Sequence, residues 1–175
     1  MQGSAYGDEA RYPLRPPGPL VLGPLPVLWL LLAGFVAAGP LLLATERWVV
    51  GAAATAVGAG LVVVLPRRFH RLSRRFLVFV PAGLVIHDHL VLVETTLFRW
   101  RDVRSVARAL ADTEALDLTG AALGPAVEVV LTGLETIVRV GRRPGETNAV
   151  HAQAFLCSPT LIDEVIARAE RRHVR

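Results

Sequence analysis

Lysine is absent from this 175-residue chain, and all 19 basic residues are arginine. With Ala, Gly, Val and Leu abundant as well, this reads as the codon bias of a GC-rich genome rather than as chemistry. Cysteine is almost absent. A single Cys157 excludes an internal disulfide and a Cys-rich zinc site. No Gly-rich phosphate loop, nucleophile elbow or His-Glu-x-x-His pair occurs. The expectation is a non-enzymatic protein without cofactor or metal.

Charge is missing from two long stretches. Leu20 to Ala44 has no ionisable residue, and as a helix rising about 1.5 Å per residue it would exceed the roughly 30 Å hydrocarbon core. Pro24 and Pro26 suit a first helical turn, Trp29 suits an interface, and Gly39-Pro40 predicts a kink or early stop. Val49 to Leu65 is also free of charge, with Trp48 before it as an anchor and Pro66 after it as a stop. Only Thr45-Glu46-Arg47 separates the stretches, which forces an antiparallel hairpin. Small residues four apart, Ala52, Ala56 and Gly60 on the second span and Gly34 and Ala38 on the first, predict close packing of the pair. A cleaved signal peptide is the rival for the first span, but the apolar run is too long and a second follows at once. Neither span has a His, Asn, Gln or charged side chain, which argues against a transporter or channel.

The formal net charge of +4 is concentrated in one place. Arg67, Arg68, Arg71, Arg74 and Arg75 fall within nine residues without an acid, while residues 1–66 sum to zero and residues 76–175 to −1. Such a juxtamembrane cluster fits anionic lipid headgroups, and it argues against nucleic acid, whose binders spread basic residues over a domain face. By the positive-inside rule the cluster and everything after it are cytoplasmic, and two spans put the N-terminus there too. Residues 1–19, rich in Gly and Pro, are expected to be a disordered tail. The predicted organisation is this tail, a transmembrane hairpin over 20–66, a juxtamembrane linker over 67–75, and a β domain over 76–175.

From Phe76 the pattern becomes alternating, as in half-buried strands. Strands are expected at 76–80 and 84–87, joined by a Pro81-Ala82-Gly83 turn with Gly83 free to take positive φ. Further strands are expected within 89–100, at 103–110 and at 116–119. Val127, Val129 and Leu131 form an inward row, Thr132 to Glu135 a turn, and 136–140 the next strand. Val150, Ala152, Ala154 and Leu156 form the last inward row. A helix over 159–173 follows, capped by Ser158, with Pro159 first and Leu161, Ile162, Val165, Ile166 and Ala169 as its apolar stripe.

Some seven strands and a C-terminal helix resemble the pleckstrin-homology-like superfold, an all-β sandwich or barrel capped by an α-helix. The order of two spans, an Arg-rich linker, Gly83-Leu84-Val85-Ile86 and then Trp100-Arg101-Asp102-Val103-Arg104-Ser105-Val106 resembles bacterial membrane proteins of that type. The resemblance implies a membrane-tethered binding module. It does not extend to inositol phosphates, because the loop between the first two strands, Pro81-Ala82-Gly83, has no positive charge.

Three constellations could carry chemistry. His87 and His89, flanking Asp88, share a strand face but are two metal ligands only, with His151 or an acid needed as a third. Cys157 and His151 share a face about 20 Å apart, too far to pair, and Cys157 reads as a structural thiol. Arg99, Arg101 and Arg104 around Trp100 form a possible ligand or partner patch, or a charged edge that discourages aggregation. The functional expectation is a module that presents a protein, small-molecule or lipid site at the cytoplasmic membrane, with a protein partner or a second copy. The alternative is an accessory subunit of a larger membrane complex.

Overall fold

The computed structural model of the chain describes residues 9–141, 143 and 145–173. It divides into a helical unit, residues 18–73, and a β unit built from the residues up to Pro17 and from Arg74 onward. The helical unit is thus an insertion between two parts of one β unit. The expectations for residues 1–8 and for the side chains of Arg68 and Arg71 lie outside the described residues.

In the helical unit, α1 (Gly18–Leu22) stops at Gly23, and α2 (Pro24–Ala44) begins with proline in its first turn. Neither proline stops its helix. Helix α2 continues through Pro40, and α3 (Trp48–Leu72) continues through Pro66. A proline removes one backbone donor, a defect that membrane helices tolerate when neighbouring groups satisfy the freed carbonyl. The connection is as short as expected. Glu46 takes φ 62°, and the amides of Thr45, Glu46 and Arg47 cap the carbonyls of Leu41, Leu43 and Leu42.

The helices pack along a different face from the one expected. Buried and half-buried positions of α3 fall at Gly51, Ala54, Gly58, Leu61 and Leu65, alternating steps of three and four. This is the seam of a left-handed helix pair. A Cβ on Gly58 would lie 3.2 Å from the Phe35 carbonyl carbon, and one on Gly39 would lie 2.9 Å from the Thr55 amide, so backbones meet there. Ala52, Ala56, Gly60 and Gly34 are exposed, so of the expected small residues only Ala38 is half-buried. Small residues are too common on both sides of α3 for their spacing to mark the seam.

The β unit has two four-stranded sheets. The first has the order β1 (Ala10–Pro13), β2 (Phe76–Val80), β3 (Gly83–His87), β4 (Thr96–Arg99), all antiparallel. The second has the order β5 (Val103–Arg108), β7 (Val127–Val140), β8 (Thr147–Cys157), β6 (Leu116–Asp117). A 3-10 turn over Trp100–Asp102 leads from one sheet to the other, and α4 (Ile162–His173) closes the chain. Among the described residues neither sheet closes into a barrel. The core lies between the sheets, with Leu77, Phe79, Leu84, Val127, Val129, Leu131 and Phe155 all at 0 % exposure. Phe98 and Phe155 meet across it, their ring centroids 4.7 Å apart. Helix α4 packs Ile162, Val165 and Ala169 against the same core, each worth up to about 1.5–3 kcal/mol for the larger side chains.

Several expectations need correction. Part of the supposedly disordered tail is β1, and the residues after it are equally well tied. Only 96–99 of the expected 89–100 strand is extended, because Asp88 folds the preceding segment into a turn that accepts the amides of Leu90 and Leu92. Gly83 is not at positive φ. It is glycine because a Cβ there would strike the Phe98 carbonyl oxygen. The expected turn at Thr132–Glu135 is a bulge inside one long strand, where the register with β8 jumps from Val130–Ala154 to Glu135–Ala152. That jump changes which residues of β8 face inward. Ala152 is inward before it and Phe155 and Cys157 after it, in place of the uniform Val150-to-Leu156 row. Helix α4 starts three residues later than expected. Ser158 does not cap it, because residues 158–160 pair with the N-terminal segment instead.

Candidate functional site

The first strand of the chain enters the hairpin and β2 leaves it, and these two strands are hydrogen-bonded neighbours, Pro13 opposite Phe76. Arg75 sits at their junction. Strand parity explains its position. Arg75 precedes the inward pair Leu77 and Phe79 by the same period of two, and Asp88 likewise follows Leu84 and Ile86. The two side chains are therefore carried inward on paired strands. Arg75 Nε donates to Asp88 Oδ1 at 2.7 Å and Nη2 donates to Oδ2 at 2.5 Å, the bidentate geometry of a strong guanidinium–carboxylate pair. Arg75 Nη1 donates to the Arg15 carbonyl at 2.7 Å, and the Leu90 amide donates to Asp88 Oδ1 at 3.1 Å. Side-chain exposure is 0 % for Arg75 and 1 % for Asp88.

This corrects the arginine cluster. Arg75 does not face headgroups; its charge is consumed inside the β unit. Arg67 lies on α3, five residues before its end at Leu72. Arg67 and Arg74 are exposed.

The second patch divides in the same way. Arg99, Arg101 and Arg104 are exposed, with Arg101 3.6 Å from Asp102. Trp100 instead packs edge-on against Phe79, centroids 5.1 Å apart, and its Nε1 donates to the Val80 carbonyl at 3.0 Å. It closes the core and is not a free ligand platform. A cavity of about 270 Å³ beside it is lined by Leu97, Phe98, Arg99, Asp102 and Glu135.

The histidines do not converge. His87 Nδ1 is 2.8 Å from Thr95 Oγ1, and Asp88 between His87 and His89 is engaged by Arg75. His151 Nδ1 is 3.0 Å from Thr136 Oγ1 on an exposed stretch of β8. Cys157 is buried, so the register jump puts it and His151 on opposite faces, contrary to expectation. Burial alone pushes the Cys157 thiol up to about 12, which makes it unreactive in the folded chain. Tyr12 is also held above its usual value, first by burial and then by the nearby Glu164 carboxylate. Among the described residues no three His, Cys, Asp or Glu side chains group as metal ligands.

Two further hollows lie elsewhere on the β unit. One, about 260 Å³, lies on the outer face of the first sheet, lined by Phe76, Val78, Val80 and Val85 with Arg11 and His87 at its rim. The other, about 480 Å³, runs along β8 and is lined by polar groups including Glu128, His151 and Gln153. No known protein family, curated protein or solved structure matches the chain.

Proposed function

We propose that this chain is a non-enzymatic integral membrane protein that holds a pleckstrin-homology-like β unit at the cytoplasmic face as a binding module. One observation carries the membrane reading. In the two apolar helical stretches, Gly18–Ala44 and Trp48–Arg67, only 6 % and 22 % of the 18-residue apolar window is buried within the protein. A core helix of a soluble protein would be mostly covered, whereas a lipid-facing helix needs no cover. A cleaved signal sequence is disfavoured because cleavage would remove β1 and the Arg15 carbonyl from Arg75. The pairing of β1 with β2 also favours a hairpin that enters and leaves on one side. Arg67, Arg68, Arg71 and Arg74 make that side cytoplasmic by the positive-inside rule. The pleckstrin-homology-like reading rests on two antiparallel-rich sheets followed by one amphipathic helix.

The exposed Arg99, Arg101 and Arg104 favour an acidic group on the bound protein, lipid or small molecule. Alkaline-carbonate extraction of membranes tests the anchor, and protease accessibility of a C-terminal tag tests the side. The proposal fails if the chain is released without detergent or the tag is cut from outside. Light scattering of the detergent-purified protein then separates a monomer or homodimer from a subunit that co-purifies in a stable hetero-complex.

A further inference from the structure

Residues 10–17 run as a strap from the first sheet to the region that starts α4. At one end, Tyr12 lies edge-on to Phe79, centroids 5.5 Å apart, with its hydroxyl 3.4 Å from Glu164. In the middle, the Leu14 amide donates to the Arg75 carbonyl at 2.9 Å and the Thr160 amide donates to the Pro13 carbonyl at 2.9 Å. At the other end, the Arg15 amide donates to the Ser158 carbonyl at 2.8 Å, and the Arg15 guanidinium donates to the carbonyls of Leu123 and Pro125. Pro17 pairs with Ala122. The next residue, Gly18, begins the helical unit, and the chain returns from that unit at Arg74.

Both covalent connections to the helical unit thus end on the same contact, Arg75 with the strap. The fastening is also incomplete. Among the described residues Arg15 Nε and Ser158 Oγ are buried without a hydrogen-bond partner, a cost that lowers the free energy needed to lift the strap away. From these observations we infer that the strap couples the helical hairpin to the β unit: parting the hairpin draws residues 10–17 off β2 and off Ser158, and so opens the core beside Cys157. The inference stands on connectivity and contacts within the β unit, whatever that unit binds.

Cys157 is the sole cysteine, adjacent to the strap's anchor at Ser158, and so reports the opening in the intact chain. The test is the rate of maleimide labelling of the full-length protein in lipid nanodiscs, with hydrogen exchange of β2 and β7 followed in parallel. Arg15→Ala loosens the strap directly. Gly58→Leu loosens it remotely, by forcing α2 and α3 apart where they touch through backbone. Gly34→Leu is the control, since a Cβ built there meets no described residue within 4 Å beyond its own helix turn. The expected result is at least about tenfold faster labelling in Arg15→Ala and Gly58→Leu, faster exchange in β2, and unchanged protection in β7, as for a local opening. Gly34→Leu should label at the parent rate. The inference is overturned if Gly58→Leu labels like the parent, if its labelling rises only together with loss of β7 protection, or if Gly34→Leu rises equally.

Discussion

Replacing Asp88 with alanine should be among the most damaging single changes available in the β unit. The substitution leaves the Arg75 guanidinium in place with 0 % side-chain exposure and removes both of its carboxylate contacts. The Arg15 carbonyl still accepts one of its hydrogens, but the charge has no counter-ion. Uncompensated buried charges of this kind cost about 3–5 kcal/mol. Set against a typical domain stability of about 5–15 kcal/mol, that is about a fifth of the total at the least. Arg75→Ala should cost at least as much, because it also abandons the Arg15 carbonyl. The double variant Arg75→Met/Asp88→Leu should recover most of the loss, since an apolar pair of similar volume needs no desolvation. The assay is urea unfolding of the full chain in mild detergent, followed by Trp100 fluorescence with Trp29 and Trp48 replaced by Phe, because Trp100 alone of the three lies in the β unit. If Asp88→Ala unfolds within about 1 kcal/mol of the parent, the buried charge pair is not what the junction depends on.

Gly83→Ala should destabilise the β unit by about 1–3 kcal/mol or more, read from the same titration, because its new methyl meets the backbone of β4 rather than a movable side chain. Cys157 should resist iodoacetamide in the folded parent at pH 8 and react on denaturation. Its folded thiol titrates near 12 against an ordinary 9.0, so the folded state holds the proton more tightly. That contribution to stability is full below about pH 9 and is lost as pH rises towards 12, so the urea midpoint should fall over that window more in the parent than in Cys157→Ala. Changing Arg67, Arg68, Arg71 and Arg74 together to Gln should weaken binding to anionic vesicles and scramble the orientation of the C-terminal tag, while Arg75, left intact, keeps the β unit folded. Unchanged topology in that variant would argue against the cytoplasmic assignment.

Much of this architecture is legible in the residues. The hairpin follows from two charge-free stretches and a three-residue loop, because a helix that needs no internal cover advertises itself by composition alone. Strands β2, β3, β5 and the first half of β7 follow from their alternation. The buried pair was legible too: Arg75 has the parity of Leu77 and Phe79, and Asp88 that of Leu84 and Ile86. Counting Arg75 with its four neighbours hides this, since a run of like charges suggests one shared role.

Other features leave no local trace. Segment 10–17 is short and proline-rich with no periodicity, and its partners lie at Phe76, Leu123, Ser158 and Glu164. The inward face of β8 depends on a bulge in β7, so no reading of β8 by itself places Cys157 correctly. The seam of the hairpin is masked because alanine and glycine populate the whole circumference of α3.

The insertion of the hairpin within the β unit imposes an order on biosynthesis. Residues 10–13 leave the ribosome first, yet their partner strand follows only after both hydrophobic helices have been made. At about 5–20 residues per second, the earliest strand waits roughly 3–13 seconds for β2 and longer for the start of α4. Throughout that interval β1 is without its partner strand, while two long apolar helices are made. The pairing of residues 13–15 with residues 158–160 is therefore among the last contacts of the β unit to form, after both apolar helices and all the strands between them have been made.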